Sequence, residues 1–270
     1  MRLLLIAPVL LLAACAGASC PAQRFETASA ALSAHAAMRE PARVIRAEAR
    51  VDRRDSEGRI RGTVLMFLER PDRVRFDAMT QLGPAAILTS DGTTFALTDL
   101  REERFLVGPT CASNIERLLG LPLEGREVTQ LLLGDTPRIE AQGEEIACEG
   151  GSYRVTLRGA DGRTQTLQLE VQQEDVALPP DRQRMRLLRT EVHAADGSLE
   201  WRVTWSDHQS VSGGGENVVL PFRIHFEHPS RGIDTLVRFQ RIDLNVEVPA
   251  DAFVQEPRPG LPVETVECTE

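Results

Sequence analysis

Five histidines (His35, His193, His208, His225 and His228) and five cysteines (Cys15, Cys20, Cys111, Cys148 and Cys268) are the side chains with which this chain could do metal, acid–base or covalent chemistry. His225 and His228 lie three residues apart in a run that reads as strand. Side chains at that spacing point to opposite faces, so the two histidines do not converge on one metal. Asp207-His208 is an adjacent pair with no nucleophile in a recognisable elbow, and no GxSxG, HExxH, phosphate loop or dinucleotide fingerprint occurs anywhere. Gly213-Gly214-Gly215 is not followed by a helix whose N-terminus could hold phosphate, and reads as a hairpin tip. Trp201 and Trp205 are four apart and share a strand face, as core residues do more often than sugar platforms. The expectation is no catalytic residue, no metal and no cofactor: a binding protein, not an enzyme.

The cysteines say more. Residues 1–14 carry one positive charge at Arg2, an apolar run from Leu3 to Leu12 broken by Pro8, and then small residues. That run is shorter than the ~20 residues a spanning helix takes, and it has the layout of an export signal. Its end, Leu12-Ala13-Ala14-Cys15, resembles the lipobox of bacterial lipoproteins, where cleavage leaves an acylated cysteine as the first residue. The resemblance implies a lipid anchor at Cys15, with membrane lipid as the partner of its acyl chains, since two or more chains hold stably where one does not. Ala16 in place of Asp resembles the outer-membrane sorting signal and implies an outer-membrane protein facing the periplasm.

Cys20, Cys111, Cys148 and Cys268 remain, an even number in an exported chain, and read as two disulfides with three pairings open. Cys111–Cys148 with Cys20–Cys268 is favoured, because the first would pin the helical stretch to a nearby strand and the second would tie the termini together. No CxxC or Cys-His spacing supports a metal site instead.

Acidic residues outnumber basic ones, 40 to 31, every basic residue is arginine, and aromatics make up 4%. Neither the basic stripe nor the stacking rings of a nucleic-acid groove are present, so nucleic acid is excluded as a partner. A length of 270 residues suits one large β domain.

The elements follow from periodicity. Residues 25–40 are Ala-rich and free of Gly and Pro, and predict a helix after a short tether, 15–42 in all. From Arg43 onward apolar and polar residues alternate between turn signals such as Asp91-Gly92, Asp161-Gly162 and Asp196-Gly197, predicting about eleven or twelve strands in an up-and-down antiparallel sheet that must curl. One stretch interrupts them. Residues 111–134 carry Ile115, Leu118 and Leu119, then Val128, Leu131 and Leu132, at helical spacing, with Ser113 and Glu116 set as a capping box and Gly120 and Pro122 as a break between two helices. Residues 256–270, with Pro257, Pro259, Gly260 and Pro262, read as an extended tail.

A lipobox, a meander, Leu82-Gly83 at a turn, Gly120-Leu121-Pro122-Leu123 followed by Leu131-Leu132-Leu133-Gly134, and a closing segment with Asn245, Pro249, Phe253 and Pro257-Arg258-Pro259-Gly260 together resemble the bacterial lipoprotein-sorting family. That is the family of the carrier LolA and the acceptor LolB, with the likeness stronger to the acceptor. The resemblance covers Arg43 to Gly260 and implies a lipid-binding domain at 43–255. It implies a mainly β fold with a helical insert: a strongly curved antiparallel sheet, an incomplete β-barrel, with helices (111–134) as the lid of an acyl-chain cavity. Wall candidates are Val64, Met66, Leu68, Val74, Phe76, Ile87, Phe95 and Leu97; lid candidates are Ile115, Leu118, Val128, Leu131 and Leu132. Leu82 and Gly83 occupy the place of the family's membrane-contact loop, flanked by the uncharged Gln81, Pro84, Ala85 and Ala86. Departures are the two disulfides, a longer C-terminal half, and Glu116, Glu124 and Glu127 on the lid. The function implied is acceptance or transfer of lipoprotein or lipid at the outer membrane, with such cargo and a periplasmic carrier as partners. The alternative is a structural or assembly lipoprotein using the same sheet to dock proteins. Oligomeric state is not encoded in any of these features.

Overall fold

Alternating strands and short turns build one sheet. In the computed structural model, which describes residues 19–56 and 58–269, β1 (Val44–Asp55), β2 (Gly58–Glu69), β3 (Arg73–Thr80), β4 (Gly83–Ser90), β5 (Thr94–Asp99) and β6 (Arg104–Pro109) form a first meander. β7 (Ala141–Glu149), β8 (Ser152–Gly159), β9 (Thr164–Val171), β10 (Met185–His193), β11 (Leu199–Gly213), β12 (Glu216–His228) and β13 (Ile233–Leu244) form a second. The meanders join where β1 pairs antiparallel with β13, Ala47 opposite Ile242. Register shifts at Glu48/Ala49, Ala78/Met79, Leu187/Arg189 and Val192/His193 mark the bulges at which such a sheet bends. Residues 1–14 and Cys15, expected as leader and lipid anchor, lie outside the described residues.

The topology dictates where the helices go. The first meander ends with β6 near one edge of the sheet, and the second begins at the opposite edge with β7, so the chain has to cross a whole face between them. It crosses as α2 (Ala112–Leu119) and α3 (Gly125–Leu132), whose apolar stripes, Ile115 and Val128–Leu131–Leu132, face the concave side and join the core. An N-terminal helix, α1 (Ala28–Ala37), starts at Thr27, whose hydroxyl accepts the Ala30 N–H at 3.2 Å, and buries Ala28, Ala31, Leu32 and His35 beside β7 and β10. Among the described residues no helix is long and apolar enough to cross a membrane.

Three local expectations are corrected. The disulfides are Cys20–Cys148 and Cys111–Cys268, not Cys111–Cys148 and Cys20–Cys268. Cys111 follows β6 and Cys148 lies in β7, the strands at opposite sides of the sheet, so no bond of a few ångströms can join them. The stretch 256–270 is not merely an extended tail: Val263–Thr265 is β14, which pairs in parallel with β6 and ends next to Cys268. Ser113 does not cap α2. The helix begins after Cys111, and the Ser113 hydroxyl accepts the Thr269 N–H at 3.0 Å, so the tail uses it.

The chain reaches β14 over the convex face. Arg75 donates to the Ala252 carbonyl at 3.1 Å, the Arg73 guanidinium lies 4.5 Å from the centre of the Phe253 ring, and the Gln255 amide donates to the Ile87 and Ala96 carbonyls at 3.0 and 3.2 Å. This tail covers Ile87, Ala96 and Phe105, a second apolar layer on the side away from the main core.

A buried polar cluster ties α1 to the sheet. His35 is 1% exposed and Arg39 is 3% exposed; Arg39 Nη2 stands 3.3 Å from His35 Nε2 and donates to the Met185 carbonyl, while His35 Nδ1 is 3.6 Å from Asp135 Oδ1. Burial lowers the His35 pKa, and burial with the nearby Arg186 and Arg39 charges pushes His208 down to about 4. An unfolded histidine protonates near pH 6.5. Between that value and about 4 the unfolded chain therefore binds protons that folded His208 refuses, and stability falls as pH falls through this window. Urea denaturation of the wild type is expected to lose about 1–2 kcal/mol to this histidine between pH 7 and 4.5, discounted for its partial exposure. His208→Gln should flatten that part of the slope; a variant curve parallel to the wild type would refute the assignment.

Candidate functional site

The concave face is not completely filled. Between the first meander, β11–β13 and the two lid helices lies a cavity of about 430 Å³. Its walls follow from register. Residues directly opposite on paired strands share a face, so Ala47, Met66, Phe76, Leu88 and Leu97 form one inward row across β1–β5. Val203–Trp205 and Ile224–Phe226 form the facing rows on β11 and β12.

Of the residues expected to line it, Val64, Met66, Phe76, Leu118, Val128, Leu131 and Leu132 do. Leu68, Val74, Phe95, Leu97 and Ile115 share the concave core but lie outside the lining, enclosed by other side chains at 0–4% exposure. Ile87 is on the wrong face: Ala86 and Leu88 point into the core, and Ile87, one residue out of step, sits under the tail. Residues not anticipated are Leu119, Leu121 and Leu123 between and along the lid helices, and Val203, Ile224, Phe226 and Val237 from the second meander. The alternation of these strand residues was visible in the sequence. Their nearness to β1 was not.

The lid is held at named points. Trp205, 1% exposed, donates its indole N–H to the Leu131 carbonyl at 2.9 Å, fixing the last turn of α3. The Glu127 carboxylate accepts the Glu124 N–H at 2.8 Å at the start of that helix. Arg231 pairs with Glu116 of α2 at 2.8 Å. Arg53 of β1 reaches the Leu118 carbonyl at 3.5 Å and lies against Gly120, where φ is 65° and an added Cβ would fall 1.9 Å from the guanidinium carbon. Gly120, expected as a hinge, therefore also makes room for Arg53. Trp205→Phe should cost about 1–3 kcal/mol through the lost bond to a buried carbonyl. Amide exchange should show the loss concentrated in α3; uniform loss across the sheet would mean that the indole only fills core.

Leu82 is fully exposed at the tip of the β3–β4 hairpin. The Thr80 hydroxyl closes this tip, accepting from the Leu82 N–H at 3.2 Å and donating to the Gly83 carbonyl at 2.7 Å, and Gly83 takes φ 123°. Thr80 itself lines the cavity, as do Ile60 (57% exposed), Arg61 and Arg101, so the tip stands beside the cavity's mouth. A second groove of about 420 Å³, beside Arg154, Gln168, Arg189 and Glu191, is half polar in its lining and has no comparable apolar wall.

No protein-family model matches the sequence, and no curated protein matches it. Solved structures do resemble the fold. A LolA superfamily protein from Nitrosomonas europaea superposes with a TM-score of 0.54 at 12% identity, covering 86% of this chain and 99% of its own. A DUF1329 family protein from Desulfovibrio piger gives 0.54 at 10% identity, covering 85% and 98%. The fold is therefore LolA-like: mainly β, a large, curved, open and almost wholly antiparallel sheet with three α-helices among the described residues.

Proposed function

We propose that this protein is a non-catalytic carrier of the bacterial envelope that takes acyl chains into the cavity beneath α2 and α3. It would be anchored to the outer membrane through an acylated Cys15, face the periplasm, and accept or pass on lipid or lipoprotein, with a periplasmic carrier as donor. The observation that supports this most is the cavity itself, lined mainly by aliphatic and aromatic side chains, covered by a helical lid and opening next to a fully exposed leucine. Predominantly apolar walls suit a hydrocarbon chain, which has no hydrogen bonds to lose on entering and leaves water behind. The LolA-like fold agrees with this reading.

The test is native mass spectrometry of protein released from its own membrane, with Val64→Trp as the comparison. Co-purifying lipid is expected on the wild type and not on the variant, whose indole would occupy the space between β2 and the lid at a cost of about 1–3 kcal/mol in stability. An empty wild-type protein carrying stoichiometric protein partners would establish a docking module in place of a carrier.

A further inference from the structure

The cavity is apolar but its charge is one-sided. Arg53, Arg61 and Arg101 are in its lining and no aspartate or glutamate is, in a chain where acids outnumber bases. All three arginines lie at one end. Arg53 and Ile60 are register partners on β1 and β2, Arg61 follows Ile60, and Arg101 belongs to the β5–β6 turn. At that same end two buried polar atoms have no hydrogen-bond partner: Arg53 Nε and the Thr235 hydroxyl. Arg53 of β1 is directly opposite Thr235 of β13, so both side chains stand on the same face with Cβ atoms about 5 Å apart. Thr235 is 3% exposed, and a hydroxyl sealed there without a partner costs stability unless something in the cavity accepts from it.

The surrounding carboxylates cancel the charge of this end only in part. Asp52 is shared by Arg59 and Arg61, with Nε and Nη contacts of 2.6–3.0 Å, and Arg59 first and then Arg61 hold its carboxyl down at about 2. Arg53 pairs with Asp55 through Nη2 and keeps Nε free. Arg101 has no carboxylate partner among the described residues, and its neighbours Glu102 and Glu103 lie outside the lining.

Volume sets the other half of the ligand. A space of about 430 Å³ has room for an acyl chain. We infer that the ligand is an amphiphile that places an acyl chain in the cavity and an anionic head, carboxylate or phosphate, at its mouth, where Arg53 Nε and the Thr235 hydroxyl donate to it and Arg61 and Arg101 flank it. This rests on the acyl-chain reading and narrows it.

The test uses the full chain, purified and delipidated, with an uncharged fluorescent probe, N-phenylnaphthylamine, in the cavity. Palmitate and palmitoyl lysophosphatidate are each compared with monopalmitoylglycerol, so that chain length is constant within each pair. The anionic member of each pair should displace the probe at roughly tenfold lower concentration, the worth of one charge-assisted hydrogen bond. A preference confined to one pair identifies the head as carboxylate or phosphate. Thr235→Val and Arg101→Gln should each shrink the ratio between the anionic and the neutral member of a pair. Thr235→Val should be as stable as the wild type or more so, because it removes an unpaired buried hydroxyl, and a structural role for Thr235 would give the opposite sign. Equal displacement within both pairs, or a preference that survives both substitutions, overturns the inference and leaves the chain-binding reading standing. Failure of every amphiphile to displace the probe sinks the chain-binding reading, and this inference with it.

Discussion

Replacing Cys111 and Cys268 together with serine is expected to lower stability by about 2–4 kcal/mol, the usual worth of a disulfide that closes a long loop. The bond spans 157 residues and joins the residue that begins α2 to the tail that supplies β14. The loss should be local in its consequences. β14 is three residues long and pairs only with β6, so without the bond it is held by few ladder bonds, by the Ser113 hydroxyl and by the contact at Gly108. That contact is close: a Cβ on Gly108 would fall 2.0 Å from the Val266 carbonyl oxygen, so the tail lies directly on the β6 backbone. Hydrogen exchange in the double variant should rise in β6, β14 and the first turn of α2, and stay unchanged in β8–β12. Removing Cys20–Cys148 should instead loosen the segment before α1 and the β7 edge. If protection of α2 is the same with and without Cys111–Cys268, the lid is held by Trp205 and the core alone, and the tail has no part in positioning it.

Leu82→Glu is expected to reduce association with phospholipid vesicles by roughly 10–100-fold without a change in melting temperature. Burying a leucine in an apolar phase is worth about 1.5–3 kcal/mol, and Leu82 has all of that to gain because it is fully exposed and packs on nothing in the protein. The substitution touches no core residue, so the folded state has nothing to lose. Its immediate neighbours are Gln81 and Gly83, and the Thr80 hydroxyl bonds that shape the tip involve backbone atoms that glutamate keeps. Transfer of acylated cargo into liposomes should fall in parallel. Wild-type association by the variant would show that the tip does not enter the bilayer, and would leave the cavity reading unaffected, since Leu82 is not part of its lining.

Much of the fold was legible because it is written locally. Alternation at period two marked the strands of both meanders, and the stripes Ile115–Leu118–Leu119 and Val128–Leu131–Leu132 marked two helices with one apolar side each. The exposed tip at Leu82 came from the resemblance at Leu82-Gly83, since a turn leucine by local pattern alone fits a side chain folded back onto the core equally well. Errors arose where one local pattern fits two structures. Ser113 and Glu116 have capping-box spacing, yet the helix begins two residues earlier than that box requires and the hydroxyl serves the tail. Ile87 lies in a run of four apolar residues, Ala85 to Leu88, where alternation gives no phase, so its face could not be read.

By itself the sequence determined the element types, the one-sided lid helices and a mainly β architecture, because each depends on residues within a few positions of one another. Only the tertiary structure decided which strands are neighbours, and everything that follows from adjacency. β1 lies against β13, 180 residues on in the chain, which brings Thr235 opposite Arg53 and places Val203, Ile224 and Phe226 across the cavity from Met66 and Phe76. β6 and β7, consecutive in the chain, end up at opposite sides of the sheet, which separates Cys111 from Cys148 and sends the helices across the concave face. Strand order minimises unpaired edges and buried voids over the whole sheet at once, and no window of sequence contains that sum.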